Sequence, residues 1–276
     1  MKQRSMTPIH RSYLFVPGCR PDRFAKALNS GAHAVILDLE DGVAPAEKES
    51  ARASIAEWLD PARPVVVRPN AIDTEWFSRD VALCARPGVA AVMLPKAESA
   101  RQVAAVARHA PPGLPILPQI ESARGLAAAL EIARSPGVQR LVFGSLDFQA
   151  DLGISGDDQE LLFFRSQLVL ASRLAELLPP VDGVTTAVDA PEELRSDTVR
   201  ARRLGFGGKL CIHPRQVPVV NECFRPTPGE VAWAARVMEA AARSGGGPVL
   251  VDGSMIDRPV VVRAERILAE AGRGSA

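Results

Sequence analysis

The chain has 276 residues, of which 47% are hydrophobic and 24% are charged, and its formal net charge is +1. A net charge this close to zero gives no reason to expect nucleic acid or a membrane surface as a partner. No stretch approaches the roughly 18 apolar residues of a membrane-spanning helix. The four cysteines form no CxxC pair, which argues against a zinc site and a disulfide framework. The N-terminus lacks the apolar core of a signal peptide, so we expect a cytoplasmic protein.

Apolar runs alternate with helical patterns along most of the chain. The runs show no strict polar–apolar alternation, which is typical of strands that are buried on both faces. The predicted strands cover residues 12–17, 34–39, 64–68, 89–94, 115–120, 140–144, 184–188 and 209–212. The predicted helices cover residues 22–30, 46–59, 76–84, 98–109, 122–133, 161–178, 191–204 and 215–223.

Eight strands that alternate with eight helices predict an α/β protein with a (β/α)₈ TIM barrel. An open doubly wound sheet is the alternative, but no GxGxxG turn follows the first predicted strand. We expect the barrel to occupy residues 1–225.

The remaining residues, 226–276, predict a helix-hairpin-helix appendage. Helices are predicted at 230–242 and 263–271, with a hairpin over 247–262 between them. Two short strands and a helix bury little surface alone. We therefore expect the appendage to pack on the barrel or on a neighbouring subunit.

Two acids stand where neighbouring predicted strands end. Glu121 follows the fifth apolar run, and Asp147 lies at the end of the sixth. Active sites of (β/α)₈ barrels lie at the carboxyl ends of the strands, so parallel neighbours would present both carboxylates at one end. Mg²⁺ prefers such carboxylates together with water and substrate oxygens. The alternative is that Glu121 only caps the next helix and Asp147 only starts a loop.

Arg68 ends the apolar run PVVV, so its guanidinium is expected to emerge at the same end of the barrel. There it could pair with a substrate carboxylate or stabilise a developing enolate oxygen. The alternative is a structural ion pair with Glu40 or Asp41. Strand alternation places Asp38 and Glu40 on one face and Asp41 on the other, and we expect one of these three acids to orient Arg68 or a nearby lysine, Lys96.

A glycine and several cations follow the first predicted strand, in the segment VPGCRPDRFAKA. Backbone N–H groups at a helix start, together with basic side chains, can hold phosphates. Ordinary solvated helix charges are the alternative for this segment. The residues concerned are Gly18, Arg20, Arg23 and Lys26.

Taken together, these segments resemble the citrate lyase β-subunit-like proteins of the HpcH/HpaI aldolase superfamily, from residue 14 to about residue 268. The resemblance rests on LFVPGCRPDRFAKAL, AVILDLEDGVAPAEKESAR, VVVRPNAIDT, VMLPKAES, PQIESARGL, VFGSLDFQADLG, GFGGKLCIHPRQVPVVNECF and SMIDRPVVVRAERIL in this order. It implies a (β/α)₈ barrel that binds Mg²⁺, with Mn²⁺ as an alternative, and cleaves or forms a carbon–carbon bond. The implied substrates are malyl, citramalyl or citryl thioesters, which yield a 2-oxo acid and an acetyl thioester.

The resemblance also implies roles for individual residues. Glu121 and Asp147 correspond to metal ligands, with Glu121 close to the substrate as well. Arg68 corresponds to the residue that binds the substrate carboxylate and stabilises the enolate. The backbone N–H groups of Gly144, Ser145 and Leu146 are candidates for binding the 2-oxo acid carboxylate.

Two further roles follow from the same resemblance. The VPG turn with Arg20, Arg23 and Lys26 would lie near the nucleotide of coenzyme A. Asp257, in the segment SMIDRPVV, matches an aspartate that a neighbouring subunit supplies as the base in malyl-CoA lyase relatives. The alternative role for Asp257 is that of a turn residue in the hairpin. We accordingly expect a homo-oligomer, a trimer or a hexamer.

The substrate carrier stays open at this level. A free-standing lyase acting on coenzyme A thioesters is the first hypothesis. A β-subunit of a citrate lyase complex that recognises an acyl carrier protein would share the same motifs. A pyruvate aldolase that uses no thioester is the third.

Overall fold

An inward-pointing apolar side chain from every strand fills the centre of a closed barrel. The structure, a computed structural model, describes residues 9–243 and 247–273. Within the described residues, eight parallel strands pair in chain order, and the eighth pairs with the first. The predicted (β/α)₈ architecture is therefore confirmed. The side chains that pack together inside are Tyr13, Ile36, Val66, Ala91, Met93, Leu117, Val142, Val181 and Leu210.

The bounds of the barrel elements follow the apolar pattern closely in most places. The strands are β1 Ser12–Pro17, β2 Ala34–Asp38, β3 Val65–Arg68, β4 Val89–Leu94, β5 Ile116–Ile120, β6 Val142–Phe143, β7 Val181–Asp182 and β8 Gly208–Cys211. The helices are α1 Phe24–Leu28, α2 Lys48–Trp58, α3 Phe77–Leu83, α4 Ala100–His109, α5 Ala123–Ala127, α6 Ala129–Ala133, α7 Ser145–Leu152, α8 Leu162–Leu174, α9 Pro191–Leu204 and α10 Gln216–Cys223.

Helix α9 shows how local sequence sets these bounds. It begins at Pro191, whose fixed φ suits the first helical position, and acids occupy its first turn. Arginines occupy its last turn, and Gly205 ends the helix with a φ of 103°, a conformation that glycine adopts without strain. The bounds predicted from sequence, 191–204, match the structure.

The prediction of the seventh strand is wrong. The strand is Val181–Asp182, whereas the apolar run at 184–188 forms no strand. An aspartate at a buried strand position hides the strand from a hydrophobicity pattern. Asp182 is tolerated there because Arg165 donates to it at 2.9 Å and the Lys209 ammonium lies 3.7 Å away.

Two other predicted elements differ in detail. The helix predicted at 122–133 is interrupted at Ala128, which gives α5 and α6. The sixth strand stops at Phe143, and the chain turns at once into α7. Asp147 therefore stands in the first turn of a helix and not in a loop, which corrects that expectation. Acids are favoured in this position by the helix dipole.

The chain divides into two compact units, residues 1–221 and 222–276. The second unit contains α11 Pro228–Arg243, β9 Val249–Val251, β10 Ser254–Ile256 and α12 Arg258–Arg273. It has its own apolar cluster, built from both helices and both strands, which contains Ala234, Val237, Ala240, Val251, Ile256, Ala264 and Ile267. Among the described residues, no helix has the length and apolar content needed to cross a membrane.

The hairpin of the second unit is shorter than predicted. β9 and β10 pair antiparallel, and Asp252 and Gly253 connect them with φ values of 50° and 77°. Both positions need positive φ in this tight turn, which suits an Asp-Gly pair. Residues 258–262 begin α12 and do not continue the hairpin, because Pro259 can occupy a first helical turn but donates no N–H to a strand ladder.

Candidate active site

Arg68 is held by acids at the carboxyl ends of β2 and β3. It is the last residue of β3 and only 7% exposed, and it lies in register with Asp38, the last residue of β2. Its Nε and Nη2 donate to the two carboxylate oxygens of Asp38 at 2.6 and 2.8 Å. Its Nη1 lies 3.2 Å from Glu40 Oε2, and its guanidinium lies 4.6 Å from the ring centre of Phe15. Among the acids considered from sequence, Asp38 therefore orients Arg68. The alternative expectation, an ion pair of Arg68 with Glu40, is present as well.

The charge states of this group follow from the contacts. Burial opposes ionisation of Arg68, but the charge and hydrogen bonds of Asp38, with the charge of Glu40, raise the pKa of Arg68. Burial likewise acts to raise the pKa of Asp38, but Arg68 outweighs it and the pKa of Asp38 is lowered. The pair is therefore fully charged at neutral pH. Asp41 is ion-paired with Lys96, at 3.6 Å.

Glu121 follows β5 and is 3% exposed. Its Oε2 accepts the backbone N–H of Lys96 at 2.7 Å, whereas its Oε1 has no hydrogen-bond partner among the described residues. Burial and, to a smaller extent, the negative charge of Asp147 raise the pKa of Glu121 to about 8, against the opposing charge of Arg68. Glu121 does not cap the next helix: the side chain of Ser122 does so, by accepting from Gly125 N at 3.1 Å.

Asp147 comes close to Glu121 because β5 and β6 are neighbours, with Ile120 paired to Phe143. Among the described residues, none donates a hydrogen bond to the Asp147 carboxylate, and none forms an ion pair with it. Gly144 makes the approach of the two acids sterically feasible, since a Cβ at this position would lie 2.3 Å from Glu121 Cγ. Two acids thus share one edge of the barrel, and neither carboxylate forms an ion pair with a lysine or arginine side chain among the described residues.

Two adjoining cavities open at this edge, and Asp147 lines both of them. The first, of about 290 Å³, has an apolar part and a polar part. Its apolar lining includes Phe15, Phe143, Val184, Leu210 and Ile212, and its polar lining includes Asp38, Arg68, Gln119, Ser145 and Asp147. The second, of about 340 Å³, is lined by Lys96, Glu121 and Asp151 among others. The structure thus brings Arg68, Gly144, Ser145, Leu146 and Asp147 to one cavity and Glu121 to its neighbour.

Three buried polar atoms at this edge lack hydrogen-bond partners among the described residues: Gln119 Oε1, Glu121 Oε1 and Ser145 Oγ. An unsatisfied buried polar atom costs about 1–3 kcal/mol, so such a group is expected where a ligand completes the contacts. Gln119 had no role assigned from sequence. A glutamine within the apolar run ILPQI is the only signal that could have drawn attention to it.

The cations that follow β1 lie on the surface of the barrel unit. Arg20, Arg23 and Lys26 are exposed, and Arg20 donates to both carboxylate oxygens of Asp22 at 2.9 and 2.8 Å. Gly18 donates its N–H to the carbonyl of Asp38 at 2.7 Å. A Cβ on Gly18 would approach this carbonyl to 2.9 Å, so glycine allows the loop to lie against the end of β2.

Asp257 belongs to the second unit. It is exposed, stands between β10 and α12, and its carbonyl accepts the N–H of Val261 at 3.1 Å. This position at a helix start fits the alternative of a structural residue in the turn. Among residues 9–243 and 247–273, no group of three or more His, Cys, Asp or Glu side chains is arranged to hold a metal ion.

Comparisons with known proteins find relatives that match most of the chain. A sequence model of the HpcH/HpaI aldolase/citrate lyase family matches residues 11–214. A citrate lyase subunit beta-like protein of Deinococcus radiodurans is 38% identical, over 94% of this chain and 96% of the relative. A (3S)-malyl-CoA thioesterase of Cereibacter sphaeroides is 36% identical, over 95% of this chain and 94% of the relative.

The protein CitE of Mycobacterium tuberculosis has been solved in complex with magnesium, acetoacetate and coenzyme A. Its structure superposes with a TM-score of 0.86 at 39% identity, over 96% of this chain and 98% of CitE. The predicted enzyme class, a carbon–carbon lyase, and the predicted cofactor Mg²⁺ are confirmed at the level of these relatives. The chain belongs to the HpcH/HpaI aldolase/citrate lyase family.

Proposed function

We propose that the chain cleaves a carbon–carbon bond in a 3-hydroxyacyl thioester of coenzyme A, of the malyl, citramalyl or citryl type. The products would be a 2-oxo acid and acetyl-CoA, with Mg²⁺ held by Glu121 and Asp147. The observation that supports this most is the buried Glu121 Oε1, which has no partner among the described residues and lies beside a second free acid. The coenzyme A bound to CitE and the name of the malyl-CoA thioesterase support a thioester as substrate.

The residues present fit a magnesium ion. The donors available are carboxylate and amide oxygens, which hard divalent cations prefer. A cation between Glu121 and Asp147 would remove the repulsion between the two carboxylates and allow Glu121 to ionise at neutral pH. When bound, Mg²⁺ supplies a Lewis acid that polarises the substrate oxygen destined to become the carbonyl of the 2-oxo acid.

Arg68 would stabilise the negative charge that develops on the thioester oxygen of the acetyl enolate. A guanidinium has five N–H donors, of which two bind Asp38 and one points toward Glu40. One N–H on each terminal nitrogen therefore stays available to a substrate. Since two hydrogen bonds to Asp38 hold one edge of the guanidinium, the positive charge is already in place before the oxyanion forms, and no reorganisation is needed.

The first turn of α7 would bind the carboxylate of the 2-oxo acid. The first N–H groups of a helix have no partner inside the helix, and here they belong to Ser145 and Leu146. The N–H of Gly144, which we also expected to bind this carboxylate, is not available, because it donates to the carbonyl of Ile120 at 2.9 Å. A carboxylate at this position would also gain from the helix dipole. Leu146 is 49% exposed, and both it and Ser145 line the first cavity.

Two further assignments complete the proposal. Arg20, Arg23 and Lys26 would bind the phosphates of coenzyme A, which would require Arg20 to share or exchange its contact with Asp22. The N–H of Gly18, which we also expected to take part, is occupied by the carbonyl of Asp38 at 2.7 Å. Asp257, supplied by a neighbouring copy in a trimer or hexamer, would take the hydroxyl proton of the 3-hydroxyacyl group as the bond breaks. Its exposure leaves its carboxylate free to receive that proton.

The test is a product analysis with purified protein, Mg²⁺ and each of malyl-CoA, citramalyl-CoA and citryl-CoA. We expect one of them to yield equal amounts of acetyl-CoA and a 2-oxo acid, which can be trapped as a hydrazone. The malyl-CoA thioesterase relative favours a second candidate, net hydrolysis of the thioester. Free coenzyme A and the intact hydroxy acid would identify that reaction. Absence of turnover on all three by folded protein would overturn the proposal.

The carrier is resolved in the same experiment. Cleavage of an acyl carrier protein thioester alone would indicate the citrate lyase subunit. Turnover of pyruvate with an aldehyde, without stabilisation of the protein by coenzyme A in thermal melts, would indicate the thioester-free aldolase.

A matched pair of variants separates the metal site from general surface charge. Asp147→Asn should weaken Mg²⁺ binding by at least about 100-fold, since one of two carboxylate ligands is lost. Asp60→Asn makes the same chemical change at an exposed loop acid that binds Ala62 N and Arg63, before β3. Calorimetric Mg²⁺ titration of both variants should show the loss only for Asp147→Asn. Equal affinities would argue against Asp147 as a ligand.

A further inference from the structure

Lys96, the second residue after β4, has a left-handed backbone conformation with a φ of 49°. This region is unfavourable for any residue with a Cβ and is normally left to glycine or asparagine. Such conformations persist only where surrounding contacts over-determine them, and they concentrate at functional sites.

Contacts on both sides fix this turn against the end of β5. Lys96 N donates to Glu121 Oε2 at 2.7 Å, and Ala97 N donates to the carbonyl of Gln119 at 3.0 Å. The carbonyl of Ala97 is packed against α5 so tightly that a Cβ on Gly125 would lie 2.5 Å from it. The left-handed φ therefore aims the amide of Lys96 at Glu121.

This contact decides which oxygen of Glu121 is available. Oε2 is occupied by the amide of Lys96, and Oε1 is left buried and without a partner among the described residues. Without the amide, the carboxylate could rotate about its last side-chain bond. The turn thus selects a single oxygen and a single orientation for ligand binding.

The side chain of Lys96 reaches the other half of the site. Its Nζ donates to Glu40 Oε1 at 2.7 Å, and the second oxygen of Glu40 lies 3.2 Å from Nη1 of Arg68. The side chain of Lys96 is 45% exposed, so solvent weakens its ion pair with Glu40. Lys96 is nevertheless connected to Glu121 through its backbone and to Arg68 through one intervening acid.

We propose that Lys96 is a positioning residue: its left-handed amide orients Glu121 for the metal, and its ammonium acts through Glu40 on Arg68. This inference rests on the proposed function, because it takes Glu121 as a metal ligand. It assigns two separable tasks to one residue, one to the backbone and one to the side chain.

Two substitutions separate the tasks. Lys96→Gly removes the ammonium but adopts the left-handed turn without strain, so the amide stays on Glu121. Lys96→Val removes the same ammonium, and its β-branched side chain opposes the turn. Metal affinity is measured by calorimetric titration with Mg²⁺ in the absence of thioester, and kcat and KM are measured alongside.

We expect the Mg²⁺ dissociation constant of Lys96→Gly to stay within about threefold of the parent, and that of Lys96→Val to rise about 10- to 100-fold. Both variants should lose kcat, about tenfold in Lys96→Gly, because Glu40 no longer has its lysine partner near Arg68. If Lys96→Val is insoluble, Lys96→Ala is titrated in its place, with a smaller rise expected.

The control is a second residue with a left-handed backbone, Glu176, which does not lie at the carboxyl ends of the strands. Glu176 has a φ of 55° and lies between α8 and β7, before a strand begins. Glu176→Val should lower the melting temperature as Lys96→Val does, while Glu176→Val and Glu176→Gly leave Mg²⁺ affinity unchanged.

The outcomes distinguish the two proposals. A parent protein that binds no Mg²⁺ would contradict the proposed function. A parent that binds Mg²⁺, with Lys96→Val binding equally well despite a lower melting temperature, would reduce Lys96 to a structural residue and overturn this inference. Loss of affinity in Lys96→Gly equal to that in Lys96→Val would also overturn the backbone part, since the charge alone would then explain the effect.

Discussion

The two ends of the barrel each contain a buried arginine, and they treat it differently. At the amino ends of the strands, Arg140 is 0% exposed and donates to the carbonyls of His10, Pro179 and Pro180 and to the hydroxyl of Tyr13. All four acceptors are neutral and belong to the protein itself. We call the end of the barrel at the amino ends of the strands the floor. At the other end, the mouth, Arg68 is paired with carboxylates.

The two ends of the barrel differ in whether their buried polar atoms have hydrogen-bond partners. On the floor, the hydrogen bonds of Arg140 join the segments that precede β1, β6 and β7, so the arginine connects strands. At the mouth, Glu121 Oε1, Gln119 Oε1 and Ser145 Oγ lack donors among the described residues. A closed polar network stabilises a fold, whereas an open one has a cost that a ligand can offset. Polar burial alone therefore does not mark a site, and neither does one unpaired atom, since Ser172 Oγ also lacks a partner among the described residues. The mouth is distinguished because its three unpaired atoms belong to residues that line two adjoining cavities.

The largest effect should come from exchanging each arginine. Arg68→Lys keeps a positive charge but loses the two-pronged contact with Asp38, so we expect kcat to fall by about 10²–10³. Arg140→Met should reduce the free energy of unfolding by about 2–4 kcal/mol, because carbonyls on the floor lose their donor. Its kcat should stay within about twofold when it is measured well below the melting temperature.

Steady-state kinetics and urea denaturation of both variants make the comparison. A folded Arg140→Met variant that loses as much kcat as Arg68→Lys would break the division between mouth and floor.

A pair of glycines gives the next effect in size. A Cβ on Gly144, at the mouth, would lie 2.3 Å from Glu121 Cγ and 2.4 Å from Oε1, so Gly144→Ala must displace the carboxylate. We expect its Mg²⁺ affinity to fall about tenfold or more. A Cβ on Gly207, at the floor, would lie 2.9 Å from Pro179 Cβ and 3.0 Å from Arg140 Nη2. Gly207→Ala should instead cost about 1–3 kcal/mol of stability by overpacking and leave Mg²⁺ affinity unchanged.

Calorimetric titration and thermal melts of both alanine variants test this. Weakened Mg²⁺ binding in Gly207→Ala would show that the floor also influences the metal site.

The third prediction concerns pH. Burial raises the pKa of Glu121 to about 8 in the folded protein, above its ordinary value of 4.5. Between these values the folded protein retains a proton that the unfolded chain has released, so stability without metal should fall as pH rises from about 5 to 8. The slope is at most about 1.4 kcal/mol per pH unit. Urea denaturation in the presence of a chelator should show this slope, and Glu121→Gln should flatten it.

Glu131→Gln, at an exposed position on α6, is the control and should retain the slope of the parent. Saturating Mg²⁺ should also suppress the slope in the parent, because the bound ion favours the ionised carboxylate. A parent whose stability is independent of pH over this range would mean that Glu121 is ionised before the metal arrives.

The fold could be predicted to the extent that burial was apolar. The bounds of β1 and β4 match the predicted 12–17 and 89–94, because both strands are continuous apolar runs. The seventh strand was missed because Asp182 replaces an apolar residue with a charge whose partners, Arg165 and Lys209, lie at distant positions in the sequence. A hydrophobicity pattern along the sequence cannot detect a buried charge whose ion-pair partners lie at distant positions in the sequence.

The site could be predicted where a residue's position followed from a strand end. Arg68 and Glu121 lie at such ends, as the sequence indicates. The left-handed turn at Lys96 could not be predicted from the sequence, because positive φ is typical of glycine and not of lysine. Strand alternation places Asp38 and Asp41 on opposite faces, which is consistent with Asp38 being the acid that binds Arg68. The two hydrogen bonds between Arg68 and Asp38 depend on the register of β2 with β3. Backbone conformation and register are properties of the assembled barrel.

The smallest effect should come from the exposed cations that follow β1. Arg20, Arg23 and Lys26 are solvated, so each contributes less to binding a phosphate than a buried cation would. Alanine at each position should raise KM for the coenzyme A thioester about two- to fivefold, without a change in kcat. Arg63→Ala, at an exposed residue that contacts Asp60, is the matched control and should leave KM unaltered.

Salt sharpens this last comparison. Screening weakens exposed charges much more than buried ones, so raising the ionic strength from about 0.05 to 0.5 M should raise KM of the parent toward that of the alanine variants. The kcat contribution of Arg68, which is buried between Asp38 and Phe15, should change little under the same conditions. If KM of the parent is insensitive to salt and the alanine variants match it, the nucleotide binds elsewhere, and the charges after β1 are ordinary solvated residues.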